Sequence, residues 1–116
     1  MDLAAFLHRL HSQPDSIAFT DTMAVIDATY DFTPTAFSNG ATHNEAGQNN
    51  GSCKLFSFAK LQGLTQQQTL ACFGDYYRKD VLGNPAGTDH ANIRNFMQSG
   101  WTGIEFSGTA LTPKHS

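Results

Sequence analysis

The chain has 116 residues, 40% of them apolar and 11% aromatic, with a formal net charge of −3. That is the length of one domain (1–116) with enough apolar material for a packed core, which excludes a disordered or multidomain chain. Only 15% of residues are charged and no basic run exceeds Arg78-Lys79, which excludes a phosphate-tracking nucleic-acid surface. No apolar run approaches the roughly 20 residues that a bilayer requires.

Leu3, Phe6, Leu7 and Leu10 follow the spacing of a one-faced helix that Pro14 stops. Phe19, Met23, Ile26 and Tyr30 define a second helix, with Thr20 as its N-cap and its end near Tyr30, ahead of Pro34. An alternating start at Ile17 and Phe19 leaves a short strand open as the alternative. From Thr35 to Ser52 the composition changes to a polar stretch without Leu, Ile or Val. Within it Asn39-Gly40 predicts a type I′ hairpin pairing Phe37 with Thr42 and Ala36 with His43. Residues 52–62 predict a buried central helix capped by Ser52 and stopped by Gly63. Thr65 with Gln68 forms a capping box that opens a helix over 65–83, with Leu70, Phe73, Tyr77 and Val81 on one face. Thr88 or Asp89 caps a last helix presenting Ile93, Phe96 and Met97 and ending at Gly100. Ile104 and Phe106 alternate as a strand before a tail from Thr112. The expectation is α+β, mainly helical with about five helices, plus a small antiparallel sheet of the 35–44 hairpin and a 103–107 strand.

The opening Met1-Asp2-Leu3 lacks the cationic start and apolar stretch of a Sec signal peptide. Cys53 and Cys72 are too few for a secreted disulfide scaffold and read as reduced thiols in a cytoplasmic setting. If the helices on either side of Gly63-Leu64 are antiparallel, the two thiols stand at similar heights. The expected meaning is close helix packing, with a redox pair as the alternative.

Several segments carry a resemblance. They are Phe37-Ser38-Asn39-Gly40, Asn44 through Lys54, Phe73-Gly74-Asp75-Tyr76-Tyr77-Arg78, Asp89 through Met97, and Gly100-Trp101-Thr102-Gly103-Ile104. In this order, over roughly residues 16–112, the chain resembles the HopJ family, whose name refers to a type III effector protein. The resemblance implies injection into a host cell by a type III system. It implies no catalytic residue, cofactor or ligand set.

The residues themselves suggest sites. A helix start at Ser52 would offer free amides and a positive dipole, with Lys54 adding a cation. Such a terminus would also activate Cys53 as a nucleophile beside His43 or His90. The plainer reading makes Ser52 a cap and Cys53 a core residue. Asn39, Asn44, Gln48 and Asn50 have the amides that recognise a neutral polar ligand, or serve turns instead. His90 is a candidate general base and Arg94 a carboxylate clamp, against a structural role for both at a helix start. No metal-ligand spacing and no cofactor motif occurs. The leading expectation is an effector-like protein that binds a protein partner or small polar ligand through the 37–54 loop. The alternatives are a thiol-dependent hydrolase or transferase using Cys53, and a non-secreted cytoplasmic protein.

Overall fold

The computed structural model describes residues 2–114. Helix α1 (Leu3–Ser12) opens with the Asp2 carboxylate accepting the Ala5 amide at 2.8 Å, and it buries Phe6 and Leu10. A 3-10 turn, Pro14–Ser16, leads to α2 (Phe19–Thr29). The cap of α2 is Ala18, whose N–H donates to Asp21 at 3.1 Å, so Thr20 is already inside the helix. The alternative strand at Ile17 does not form.

Instead of running into a loop, α2 continues directly into strand β1 (Tyr30–Phe32). Its partner is β5 (Leu111–Pro113), so the expected tail is a strand, with Tyr30 opposite Pro113 and Phe32 opposite Leu111. The second sheet is the predicted one. Strands β2 (Phe37–Asn39) and β3 (Thr42–Asn44) form the hairpin, and β4 (Ile104–Phe106) pairs with β2 on its other side. The register differs from the sequence expectation, because Phe37 opposes Asn44 and Asn39 opposes Thr42. The turn residues are Gly40-Ala41, and only Gly40 has a positive φ (61°). One left-handed residue at the first central position is the type II′ requirement, whereas type I′ needs two. The slip is two residues along β3, so every side chain keeps its face.

Helix α3 (Asn50–Gln62) is the central element and buries Leu55, Phe56, Phe58 and Ala59. The Phe56 ring meets Phe37, Phe73, Phe96 and Trp101 with centroids 5.0–6.5 Å apart, and Phe58 meets Phe6 and Tyr30. These rings join both sheets and the flanking helices into one core. Gly63 ends α3 in the left-handed conformation, as its position predicts.

The helix expected over 65–83 is broken. The Thr65–Gln68 capping box does open α4 (Gln66–Ala71), but Cys72 closes it after six residues. Gly74 then turns with φ +63°, and the chain resumes as a π-helix, Tyr76–Val81. Contact with α2 forces this break, because a Cβ on Gly74 would stand 2.6 Å from the Phe19 backbone nitrogen. Arg78 holds the resumed segment against the 3-10 turn by donating to the carbonyls of Pro14, Ile17 and Ala71. Helix α5 (Ala91–Ser99) presents Ile93 and Phe96 inward and ends at Gly100. The architecture is α+β and mainly helical. Among the described residues no helix is long and apolar enough to cross a membrane.

Two expectations follow from this packing. Gly74→Ala places a side chain on a left-handed residue and against the α2 backbone. It should lower unfolding free energy by about 2 kcal/mol or more, read as a reduced urea midpoint with unchanged slope.

Both thiols are free and buried. Burial pushes the Cys72 thiol from 9.0 up to about 12, with its Thr22 hydrogen bond opposing the shift. Between those values the unfolded chain loses the thiol proton while the folded chain keeps it. Stability contributed by the neutral thiol is complete below about pH 9 and falls as pH rises, by about 1.4 kcal/mol per unit. Denaturant curves of the native chain and Cys72→Ala at pH 8, 9, 10 and 11 should show the native chain's advantage shrinking with pH.

Candidate functional site

Helices α3 and α5 begin in the same unusual way. Each follows a non-glycine residue in the left-handed region, Asn49 (φ 51°) before α3 and His90 (φ 50°) before α5. An N-cap ordinarily lies in the extended region, where its side chain accepts from the helix's first amides. Neither Asn49 nor His90 does so, in contrast to Asp2 at α1 and Thr65 at α4. Both uncapped starts open onto one cleft of about 480 Å³.

The cleft's apolar wall is Phe19, Phe73 and Tyr76. Phe19 stacks on Phe73 at 6.3 Å and meets Tyr76 edge-on at 5.2 Å. Gly51 lets the Phe19 ring descend onto the start of α3, since a Cβ there would lie 3.0 Å from the ring. The polar lining is Asn49, Ser52, His90, Asn92 and Thr42.

Beneath this lining lies a buried cluster of amides. Asn92 Oδ1 accepts from Asn39 Nδ2 (3.1 Å) and Asn44 Nδ2 (3.2 Å). Asn44 Oδ1 accepts from Asn49 Nδ2 (2.7 Å) and Asn92 Nδ2 (3.1 Å). Asn95 adds bonds to the Asn39 carbonyl and to Thr42 Oγ1. The hairpin, the start of α3 and the start of α5 are thereby tied at one point. Asn49 sends its Nδ2 into this cluster, and its left-handed backbone departs from the extended geometry in which a side-chain oxygen caps a helix.

His90 is held as firmly. Its Nε2 stands 3.1 Å from Asp80 Oδ2 and 3.8 Å from Asp89 Oδ2, and its ring packs 5.3 Å from Tyr76. Asp80 and Tyr76 both come from the π-helix, whose wider turn brings them to the same imidazole. The loop leading to His90 is gathered by Arg94, which donates to the carbonyls of Asn84, Pro85 and Asp89 and to Asp89 Oδ1 at 2.6 Å. That guanidinium holds the Asp89 carboxyl below its usual range, chiefly through the hydrogen bond.

The sequence candidates therefore separate. Ser52 and His90 line the cleft, and Asn39 and Asn44 lie in the amide cluster under it. Ser52 is not the cap, because α3 starts at Asn50. Cys53 lies past the free amides, since its own N–H already donates to the Asn49 carbonyl. It is only 1% exposed, its Sγ donates to the Thr35 carbonyl, and burial raises its pKa. A nucleophilic thiol needs the opposite surroundings, so the structure makes Cys53 a core residue. His43 is exposed and pairs with Glu45 at 3.2 Å, away from the cleft. Gln48 closes its own turn by accepting the Glu45 amide. Asn50 is an exposed first-turn residue of α3. Lys54 reaches Asp27 at 2.9 Å over the Phe32 ring. Arg94 spends its donors on the loop and is no carboxylate clamp for a ligand.

Phe19, Phe73, Tyr76, Asp80 and Asn92 were not among the candidates. Periodicity assigned Phe19 and Phe73 to core faces, and nothing in the spacing marks Tyr76 or Asp80. Yet Asn49, Phe73, Tyr76 and Asn92 all fall inside the segments that carry the family resemblance.

Comparison with known proteins agrees with that resemblance. No curated protein matches the chain. The fold is similar to the crystal structure of the unknown function protein VPA0580, with a TM-score of 0.97 and 57% identity over 98% of this chain and 95% of that one. The pattern of the HopJ type III effector protein family matches residues 3–111, nearly every described element, and the chain belongs to that family.

Proposed function

We propose that the chain is an effector-like binding protein whose cleft between the starts of α3 and α5 holds a small polar ligand. The observation that carries this reading is the cleft itself. It is about 480 Å³ with one aromatic wall, within the size range of small-molecule sites, and its polar groups converge on the opposite side. A planar ligand gains contact area on Phe19 and Tyr76. Its polar edge meets the Ser52 hydroxyl, His90 and the uncapped helix amides. The reading moves the site from the whole 37–54 loop to that loop's end, because residues 37–44 serve the hairpin and amide cluster. For place of action, family membership supports delivery into a host cell by a type III system.

Benzamide, a planar ring bearing a neutral amide, is a minimal probe. Titrated to millimolar concentration into ¹⁵N-labelled protein, it should shift the amide signals of Gly51, Ser52, Ala91 and Asn92 saturably. Gly51→Leu drives a side chain into the Phe19 ring and the cleft, and should weaken the response by about tenfold or more, since the site's volume is taken. Shifts scattered elsewhere, or equal shifts in the variant, would sink the cleft as the binding site.

A further inference from the structure

We infer that the cleft is also a hydrolytic site, in which Asp80 and His90 form an acid–base pair acting on an ester with a planar apolar part. The inference rests on the cleft being a ligand site and names the chemistry done there. A positioned general base needs an imidazole in a cleft, a second group that orients it, and a free ring nitrogen. His90 lines the cleft, and its Nε2 is engaged at 3.1 Å by Asp80 Oδ2. A carboxylate on one nitrogen fixes the ring's orientation and stabilises the imidazolium that forms. Among the described residues Nδ1 has no hydrogen-bond partner.

The backbone around the pair is unusual in two places at once, and a third feature holds it there. His90 itself is left-handed (φ 50°), a conformation that non-glycine residues adopt only against steric resistance. Asp80 and Tyr76 come from a π-helix, a form that recurs at functional sites. Arg94 binds three carbonyls of the preceding loop and thereby keeps His90 in place. Such outliers persist where the surroundings over-determine them, and two of them meet at one imidazole.

The step balances without any cofactor or oxidant. The oxygen of a water molecule bonds to the acyl carbon of the ester while its proton passes to His90 Nδ1. The carbon–oxygen bond to the leaving group then breaks, and the same proton passes from Nδ1 to the departing oxygen. A carboxylic acid and an alcohol result. The residues carrying the uncapped amides, Gly51, Ser52, Ala91 and Asn92, line the same space, where backbone N–H groups suit a developing oxyanion. The ester's planar part rests on Phe19 and Tyr76.

The probe is p-nitrophenyl acetate, followed by release of p-nitrophenol. The native chain should hydrolyse it at least about tenfold faster than His90→Gln. Asp80→Asn should lower kcat by a similar factor with little change in KM, because Asp80 touches His90 and not the substrate. His8→Gln, an exposed imidazole on α1, should match the native rate. Amide spectra of each variant that overlay the native spectrum show that folding is intact. Equal rates in the native chain and His90→Gln, equal loss in His8→Gln, or no hydrolysis beyond that of free imidazole would each overturn the inference. If hydrolysis is absent while benzamide still shifts the cleft amides, the catalytic inference alone fails. If those shifts are absent too, the cleft reading fails with it.

Discussion

Everything near the cleft depends on asparagine side chains that have been taken out of water. Asn39, Asn44 and Asn92 are each at most 7% exposed, and a buried amide without partners carries a penalty of about 1–3 kcal/mol per group. The penalty is reduced only if the three come together, which requires the hairpin, the Asn49 turn and the first turn of α5 to meet in one arrangement; among the described residues Asn39 Oδ1 still lacks a partner there. The cluster thus contributes little net stability and a great deal of geometry. At α3 it also draws in the side chain at the cap position, since Asn49 donates its Nδ2 to Asn44, whereas at α5 the residue in that position, His90, is held by Asp80.

Arginine performs a related task at two other places. Arg94 gathers the carbonyls of the 84–89 loop, and Arg78 gathers those of residues 14, 17 and 71. Irregular segments have no ladder to satisfy their carbonyls, and a guanidinium offers five donors in a fixed fork. Each cation is therefore spent on the protein's own backbone. A chain with so few charges has little left for open anion recognition, and this agrees with a ligand read by amides, a hydroxyl and aromatic faces.

Local pattern made much of the fold legible. The apolar faces of α1, α2, α3 and α5 follow their spacing, the capping box at Thr65 is where its residues put it, and β4 joins the hairpin because a lone hairpin buries too little. What local pattern missed was decided at a distance. Strand β1 exists because residues 111–113 return to it, and a three-residue strand has no period to detect. The helix expected through Gly74 breaks because the α2 backbone passes within reach of that one Cα. Likewise, Ser52 and His90, singled out for their polarity near a helix start, both line the cleft. For Cys53 the plainer of the two readings, a core residue, is the one the structure has, because α3 begins at Asn50 and carries the thiol past the helix start. Asp80 was invisible because nothing in its spacing ties it to His90, which reaches it only through the folded arrangement of the π-helix and the α5 start.

The pairing of β1 with β5 sets an order of events for the growing polypeptide. Tyr30 and Pro113 are opposite one another, so a strand made early is completed by one made after every other element. During synthesis all five α-helices and the hairpin can form while β1 still has open backbone groups and Tyr30 lacks its cover. Closing so long a loop adds only slowly to the entropic cost, as the logarithm of its length, but non-local contacts of this kind slow the final folding step. Leu111–Pro113 therefore act as a latch. Until those residues leave the ribosome the domain stays incomplete, and its last seal coincides with the arrival of its last strand.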